Sequence, residues 1–519
     1  MPARVGRPNV AGDRSPAGGE AGRWAVVSFP TMRRPTRMPV PVLRPALLAA
    51  LLAAAMPITA VACADDPTLA TPTVRAAHGD DIHWGTCKDG LGGECAEVEV
   101  PLDHDDPDGD TIGISVTRAP ATGDRKGAVF VNPGGPGSTA GDIVEQFANF
   151  MPPALNESYD VIGVDPRGTG ASKLDCGFDV KVLFGADPYI RTEGEGDDLV
   201  EVNEEYVEAC QKEEGGKLAH MGTRDAARDI DAVRAALGDD QISYLGLSYG
   251  TILGQAYAQE FPDRVRAMTL DASLPLGPTG LEVAEAQATG FETALKAFAA
   301  DCDAKPDCPI APDAMGAVDK LLAATEDEPI DAEPRKLGPG EMATGLSLPL
   351  YSQDMWPDLA TAVADGNKGD GTAMVKLADT YLGEVNFDLY YAVNCIDFAW
   401  PDDPSGVLDA AAASATAAPH FGQPEANEYL ECSLWPVDAD PLKPSDGPIS
   451  PQVLVVATTD DPATPYDQGV RTAQQTGGVL LTHKGEGHTS VGDGDACIDG
   501  AVTTYLVDLK LPPAGTTCP

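Results

Sequence analysis

Apolar and polar positions change rhythm several times along the chain. From residue 96 to 118 they alternate with period two, the pattern of a strand, a turn and a second strand. The turn, residues 103–110, is rich in aspartate. Its Pro107 stands where a third alternating calcium ligand would be needed, so an Asp-Pro-Gly turn is expected there. Short continuous apolar runs follow: AVFVN (128–132), YDVIGVD (159–165), ISYLGL (242–247) and AMTLDA (267–272). Between them Ala226, Ile230, Val233 and Leu237 fall at helical spacing, with Gly238 as the stop, and a helix is predicted from the third run through Ala258. Continuous apolar strands alternating with helices predict a mostly parallel α/β sheet covered on both faces.

The rhythm breaks over residues 276–447, which are Ala-rich and mostly helical in pattern, and predict an inserted cap. It resumes with VLVVAT (453–458) and GVLLTH (478–483), then a final helix near 497–509. The expected organisation is a core in two parts, 79–275 and 448–519, around the cap. A spacer, 63–78, and a leader, 1–62, precede the core.

The leader stands apart by charge. The whole chain of 519 residues carries a formal charge of -46, yet residues 1–62 hold eight arginines against Asp13 and Glu20. Arg33, Arg34, Arg37 and Arg44 precede an apolar run from 46 to 60, and Ala60-Val61-Ala62 is a small-residue cleavage site. This is the pattern of a signal peptide, with Met32 or Met38 as alternative starts. Cys63 follows directly. Either Ala60-Val61-Ala62-Cys63 is a lipobox whose acylated Cys63 tethers the protein to a membrane, or the product is soluble and secreted. The acidity of the rest disfavours nucleic acid and anionic lipid as partners. Setting Cys63 aside leaves ten cysteines, an even number that suits disulfides in an oxidising compartment. Neighbour pairing suggests Cys87–Cys95, Cys176–Cys210, Cys302–Cys308, Cys395–Cys432 and Cys497–Cys518. No Cys-x-x-Cys occurs and the seven histidines do not cluster with cysteine, so no metal site is expected.

The candidate chemistry sits at strand ends. Gly246-Leu247-Ser248-Tyr249-Gly250 lies between a predicted strand and a predicted helix, the context a nucleophile elbow needs. Serine is a poor nucleophile without a base to take its proton. His488, after GVLLTH, is the candidate base, with His483 inside the strand run as its rival. Asp461, after VLVVAT, is the candidate acid that orients the imidazole, with Asp460 as the alternative. Two backbone N–H donors, each worth about 3 kcal/mol to a tetrahedral oxyanion, are expected from Tyr249 and from Gly135 in Pro133-Gly134-Gly135-Pro136-Gly137. That loop has no Lys followed by Ser or Thr, so it is not a phosphate loop.

Five motifs occur in order: NPGGPGS (132–138), DPRGTGAS (165–172), GLSYGT (246–251), DPATP (461–465) and GEGHTS (485–490). Together they resemble the secreted actinobacterial tripeptidyl-aminopeptidase family, relatives of proline iminopeptidase with the α/β-hydrolase fold, over roughly residues 79–519. The resemblance implies a serine aminopeptidase that releases di- or tripeptides from a free N-terminus and needs no cofactor. An esterase, lipase or endopeptidase with the same triad is the alternative. The resemblance carries Ser248, Asp461 and His488 onto the family's triad and Gly135 and Tyr249 onto its oxyanion donors. Pro133 departs from the pattern, since the HGGPG form of the loop has His there. An aminopeptidase must also hold an α-ammonium, best done by buried carboxylates in the cap. Asp397, beside Cys395, is the candidate. Side-chain preference and oligomeric state are not legible.

Overall fold

A computed structural model describes residues 73–75, 82–87 and 93–519 of the chain. The leader, the Cys63 lipobox and most of the 63–78 spacer lie outside the described residues. An eleven-stranded sheet forms the core. Its principal strands are β1 (Glu94–Pro101), β2 (Thr111–Ala119), β3 (Gly127–Asn132), β4 (Tyr159–Val164), β5 (Ile242–Leu247), β6 (Val265–Asp271), β7 (Leu454–Asp460) and β8 (Val479–Glu486), in spatial order β1-β2-β4-β3-β5-β6-β7-β8. β2 runs antiparallel to both neighbours; from β4 to β8 every pairing is parallel. Thr73–Arg75 and Gly85–Thr86 flank β1, and Thr517–Cys518 adds to β8.

The apolar runs become strands because both sheet faces are covered. Phe130, Ile162, Tyr244, Met268 and Val455 point into one buried layer, and Val129, Val131, Val161, Leu245 and Val456 into the other. Period-two geometry thus sends neighbours of one uniformly apolar run to opposite faces. The helices Thr223–Leu237, Gly250–Glu260 and Ala496–Asp508 match the predicted spacing to within a few residues, and Gly238 closes the first in the left-handed region at φ 74°. The aspartate-rich segment is a hydrogen-bonded turn: Leu102 N–H donates to Asp110 O and Asp106 N–H to Asp103 O.

Residues between β6 and β7 form a largely helical body with a core of its own, built on Phe291, Leu295, Phe298, Leu346, Trp356 and Phe421. A small hairpin, Ile330–Ala332 with Arg335–Leu337, is its one strand pair among the described residues. The ten cysteines form five bridges, between the same neighbours that the spacing suggests. β8 runs further than its apolar run predicts. A register shift after Thr458 lets Asp460 pair with Glu486, so Gly485 and Glu486 are strand rather than loop.

Candidate active site

Ser248 sits on the turn between β5 and the helix Gly250–Glu260, with φ 54°, a conformation costly for a residue with a Cβ. The flanking glycines make the turn sterically feasible. A Cβ on Gly246 would lie 2.3 Å from Gly250 O, and one on Gly250 would lie 2.7 Å from Asn132 Oδ1. The strain is held by the sheet: Ser248 N–H donates to Asp271 O of β6 at 3.0 Å.

Asp461 follows β7 and is almost fully buried. Its Oδ1 accepts the N–H groups of Ala463 and Thr464, both at 2.9 Å, and its Oδ2 accepts the Thr464 hydroxyl at 2.8 Å. The remaining reach of the carboxylate goes to His488 Nδ1, 2.9 Å from Oδ1 and 3.0 Å from Oδ2. His488 is fixed from the other side by its own N–H donating to Tyr351 O at 3.0 Å and by the Tyr351 ring, edge-on at 5.4 Å. Burial is the largest single influence and disfavours the imidazolium, but the Asp461 charge, the Asp461 hydrogen bond and the Asp271 charge together outweigh it, so the pKa of His488 moves up. The two rivals go elsewhere. Asp460 is exposed and accepts from Thr459, and His483 Nδ1 lies 3.2 Å from Thr458 Oγ1 on the neighbouring strand.

Ser248, His488, Pro133 and Gly135 line one cavity of about 440 Å³. Its other walls are mostly apolar or aromatic, among them Tyr351, Met355, Phe387 and Tyr390. Gly135 stands at φ 102°, and a Cβ on the preceding Gly134 would lie 2.9 Å from Ser248 Cβ, so this loop needs glycine to approach the serine. Tyr249 N–H stands at the start of the helix after the serine, where the macrodipole is positive. The DPRG motif braces the start of the helix that follows this loop and a neighbouring helix. Asp165 Oδ1 accepts Ala140 N–H at 2.8 Å, and the fully buried Arg167 forms a two-pronged pair with Asp229 at 2.8 and 2.7 Å.

Asp397 is not where the sequence suggests. It lies outside the cavity, behind the elbow, accepting Thr223 N–H at 3.1 Å while Thr223 Oγ1 bonds the Tyr249 hydroxyl at 2.5 Å. The helix Phe387–Asp397 turns its C-terminal carboxylate into the core, so it has no access to a substrate amine. Glu384 lines the large cavity itself, and two further acids line its neighbour. Glu425 and Glu428 line a small cavity of about 60 Å³ that shares Tyr381 with the larger one. Neither forms an ion pair among the described residues, and no Lys or Arg lines either cavity. Burial pushes both carboxyl groups up, and Glu428 raises Glu425 further. The signal was present in the sequence: Glu425, Glu428 and Glu431 recur at spacing three beside Cys432. Gln287, also missed, lines the large cavity with an unpartnered buried Oε1.

A parallel sheet that carries a strained serine between strand and helix, with a histidine–carboxylate pair at later strand ends, defines a hydrolase of the nucleophile-elbow class. Residues 127–494 match the family described as the alpha/beta hydrolase fold, and the chain belongs to that family. It is 36% identical over 476 residues to the protein named serine protease Hip1 of Mycobacterium tuberculosis, covering 85% of this chain and 91% of that one. Carboxylesterase B of the same organism is 36% identical over 470 residues, 84% of this chain and 89% of that one. Tripeptidyl aminopeptidase of Streptomyces lividans is 31% identical over 450 residues, 82% and 83% of the two chains.

Proposed function

We propose that the protein is an exported serine peptidase that cleaves short peptides from a free N-terminus, with Ser248 as nucleophile, His488 as general base and acid, and Asp461 as its orienting carboxylate. The observation that carries this reading is the buried Asp461 on His488 Nδ1, with His488 and the strained Ser248 facing one cavity. Asp461 fixes the tautomer that leaves Nε2 free to take the serine proton, and stabilises the imidazolium that results. Ser248 attacks the scissile carbonyl, and the Gly135 and Tyr249 N–H groups receive the oxyanion. The proton on Nε2 then passes to the leaving amine, and water repeats the sequence on the acyl-enzyme. No cofactor enters this chemistry.

Glu425 and Glu428 replace Asp397 as the proposed holders of the substrate α-ammonium. Two carboxylates without a cation, in a small chamber that shares Tyr381 with the cavity of Ser248, are compensated by a bound ammonium. Relatives named serine protease and tripeptidyl aminopeptidase support a peptide substrate. Five disulfides support an oxidising compartment and hence export, consistent with the leader. Tethering through Cys63 belongs to the same reading and is separable by metabolic lipid labelling of wild type and Cys63→Ala.

A relative named carboxylesterase favours a second reading, ester hydrolysis by the same triad. Steady-state assays on a tripeptide amide, its N-acetyl form and a short acyl ester separate the two. The peptidase reading requires that the free peptide be cleaved, that acetylation remove most of the rate, and that Ser248→Ala abolish it. Ester turnover with no cleavage of the free peptide would install the second reading.

A further inference from the structure

Asp271 ends β6 and is fully buried, and its two polar ends hold two different parts of the site. Its backbone carbonyl accepts the Ser248 N–H at 3.0 Å. Its Oδ2 accepts the N–H groups of Ser490 and Val491, both at 2.8 Å, and the Ser490 hydroxyl lies 3.4 Å from Oδ1. One residue therefore fastens the backbone of the nucleophile to the loop that carries His488. Between His488 and Ser490, Thr489 stands at φ 67°, a left-handed conformation that is costly for a β-branched residue. Such a turn persists only where its surroundings over-determine it. The two amides on Asp271 are that restraint.

We propose that Asp271 is a positioning residue for the hydrolysis: its carboxylate clamps the turn after His488 so that the imidazole faces Ser248, and its charge supports the imidazolium formed when His488 takes the serine proton. This rests on the assignment of Ser248 and His488 above. The groups that face His488 are Asp461 on Nδ1, Thr464 Oγ1 at 3.5 Å, the Tyr351 ring, and the more distant Asp271 charge. The cavity that His488 lines also holds Glu384, Tyr381 and Tyr390, and no lysine or arginine. Burial pushes the Asp271 carboxyl up to about 6, against the pull of its two amide donors, so it is ionised in mildly alkaline solution. As a carboxylate it raises His488, and its removal lowers the pH at which the imidazole becomes a free base.

The test is Asp271→Asn, which keeps an oxygen for the two amides and removes the charge. Labelling wild type with a fluorophosphonate comes first. A wild type that does not label at Ser248 sinks the assignment of the site, whereas a wild type that labels leaves the inference on Asp271 to be judged separately. The pH profile of kcat/KM on a free tripeptide amide is then compared. The expected result is an acid limb moved to lower pH by about half a unit or more, with kcat down about tenfold. An acid limb that stays in place overturns the proposal, because a purely structural clamp would not set the titration of His488. If the variant does not fold, hydrogen exchange on the wild type decides. Amides of Ser490 and Val491 protected at least about a hundredfold against free-chain rates support the clamp, and unprotected amides overturn it.

Discussion

The carboxylate of Asp461 accepts from His488 Nδ1 at 2.9 Å while three further donors, two backbone N–H groups and the Thr464 hydroxyl, hold it in place. Asp461→Asn keeps the shape of this cluster. Its amide can turn a donor toward Nδ1, which forces the imidazole proton onto Nε2 and leaves Ser248 without a base. The expected loss in kcat is about 10³–10⁴-fold, with little change in melting temperature. Steady-state kinetics with paired thermal melts check it, and a loss below about tenfold would remove Asp461 from the triad.

The glycines of the elbow make a prediction about folding rather than chemistry. A methyl on Gly246 would meet Gly250 O at 2.3 Å, with both groups held by strand and helix. Gly246→Ala is expected to cost roughly 2–4 kcal/mol, measured by denaturant unfolding, and to reduce fluorophosphonate labelling with it. Full stability in the alanine variant would mean that the turn is softer than its geometry indicates.

Glu425 and Glu428 predict a pH dependence with a definite sign. Burial raises both above the usual carboxylate range, so on acidification they lose their charge earlier than solvated acids would. Binding of an α-ammonium weakens as they are protonated. KM for a free-amine peptide is therefore expected to rise as pH falls through their titration, while KM for the N-acetyl peptide stays flat. Glu428→Gln is expected to raise KM for the free peptide about tenfold or more and to leave the acetylated one unchanged. Equal effects on both substrates would place the amine elsewhere.

The strands were legible because a buried parallel strand is apolar at nearly every position, as in ISYLGL, and the elbow because Gly246 and Gly250 leave no room for a side chain. His488 was separable from His483 because the run GVLLTH already used His483 as strand. What sequence did not convey was direction. Asp397 and Glu428 both lie near cystine Cys395–Cys432, yet one carboxylate points behind the elbow and the other into a chamber beside the substrate cavity. That choice depends on how the cap helices pack, a long-range outcome absent from local spacing. Asp271 was hidden for a related reason: within AMTLDA it is one more strand residue until the loop after His488 arrives from over two hundred positions away.

Asp397 itself carries the last prediction. Its carboxyl is buried, Oδ1 takes the Thr223 N–H, and Oδ2 has no partner. Burial pushes its pKa from 3.8 up to about 7, against the hydrogen bonds from Thr223 and the charge of Arg224, with Asp440 adding to the rise. A folded-state pKa above the unfolded one means that the native protein holds the proton over a range where the unfolded chain has released it. Stability from this group is therefore complete below about pH 4, declines as pH rises toward 7, and stays low above that. Asp397→Asn removes the titration and keeps an acceptor for Thr223. The variant is expected to match or fall slightly below wild type near pH 4 and to exceed it by about 1–2 kcal/mol at pH 8, after a discount for the new unpaired N–H group. Urea unfolding at the two pH values measures the difference. A difference that does not change with pH would show that Asp397 is ionised, or solvated, in the folded protein.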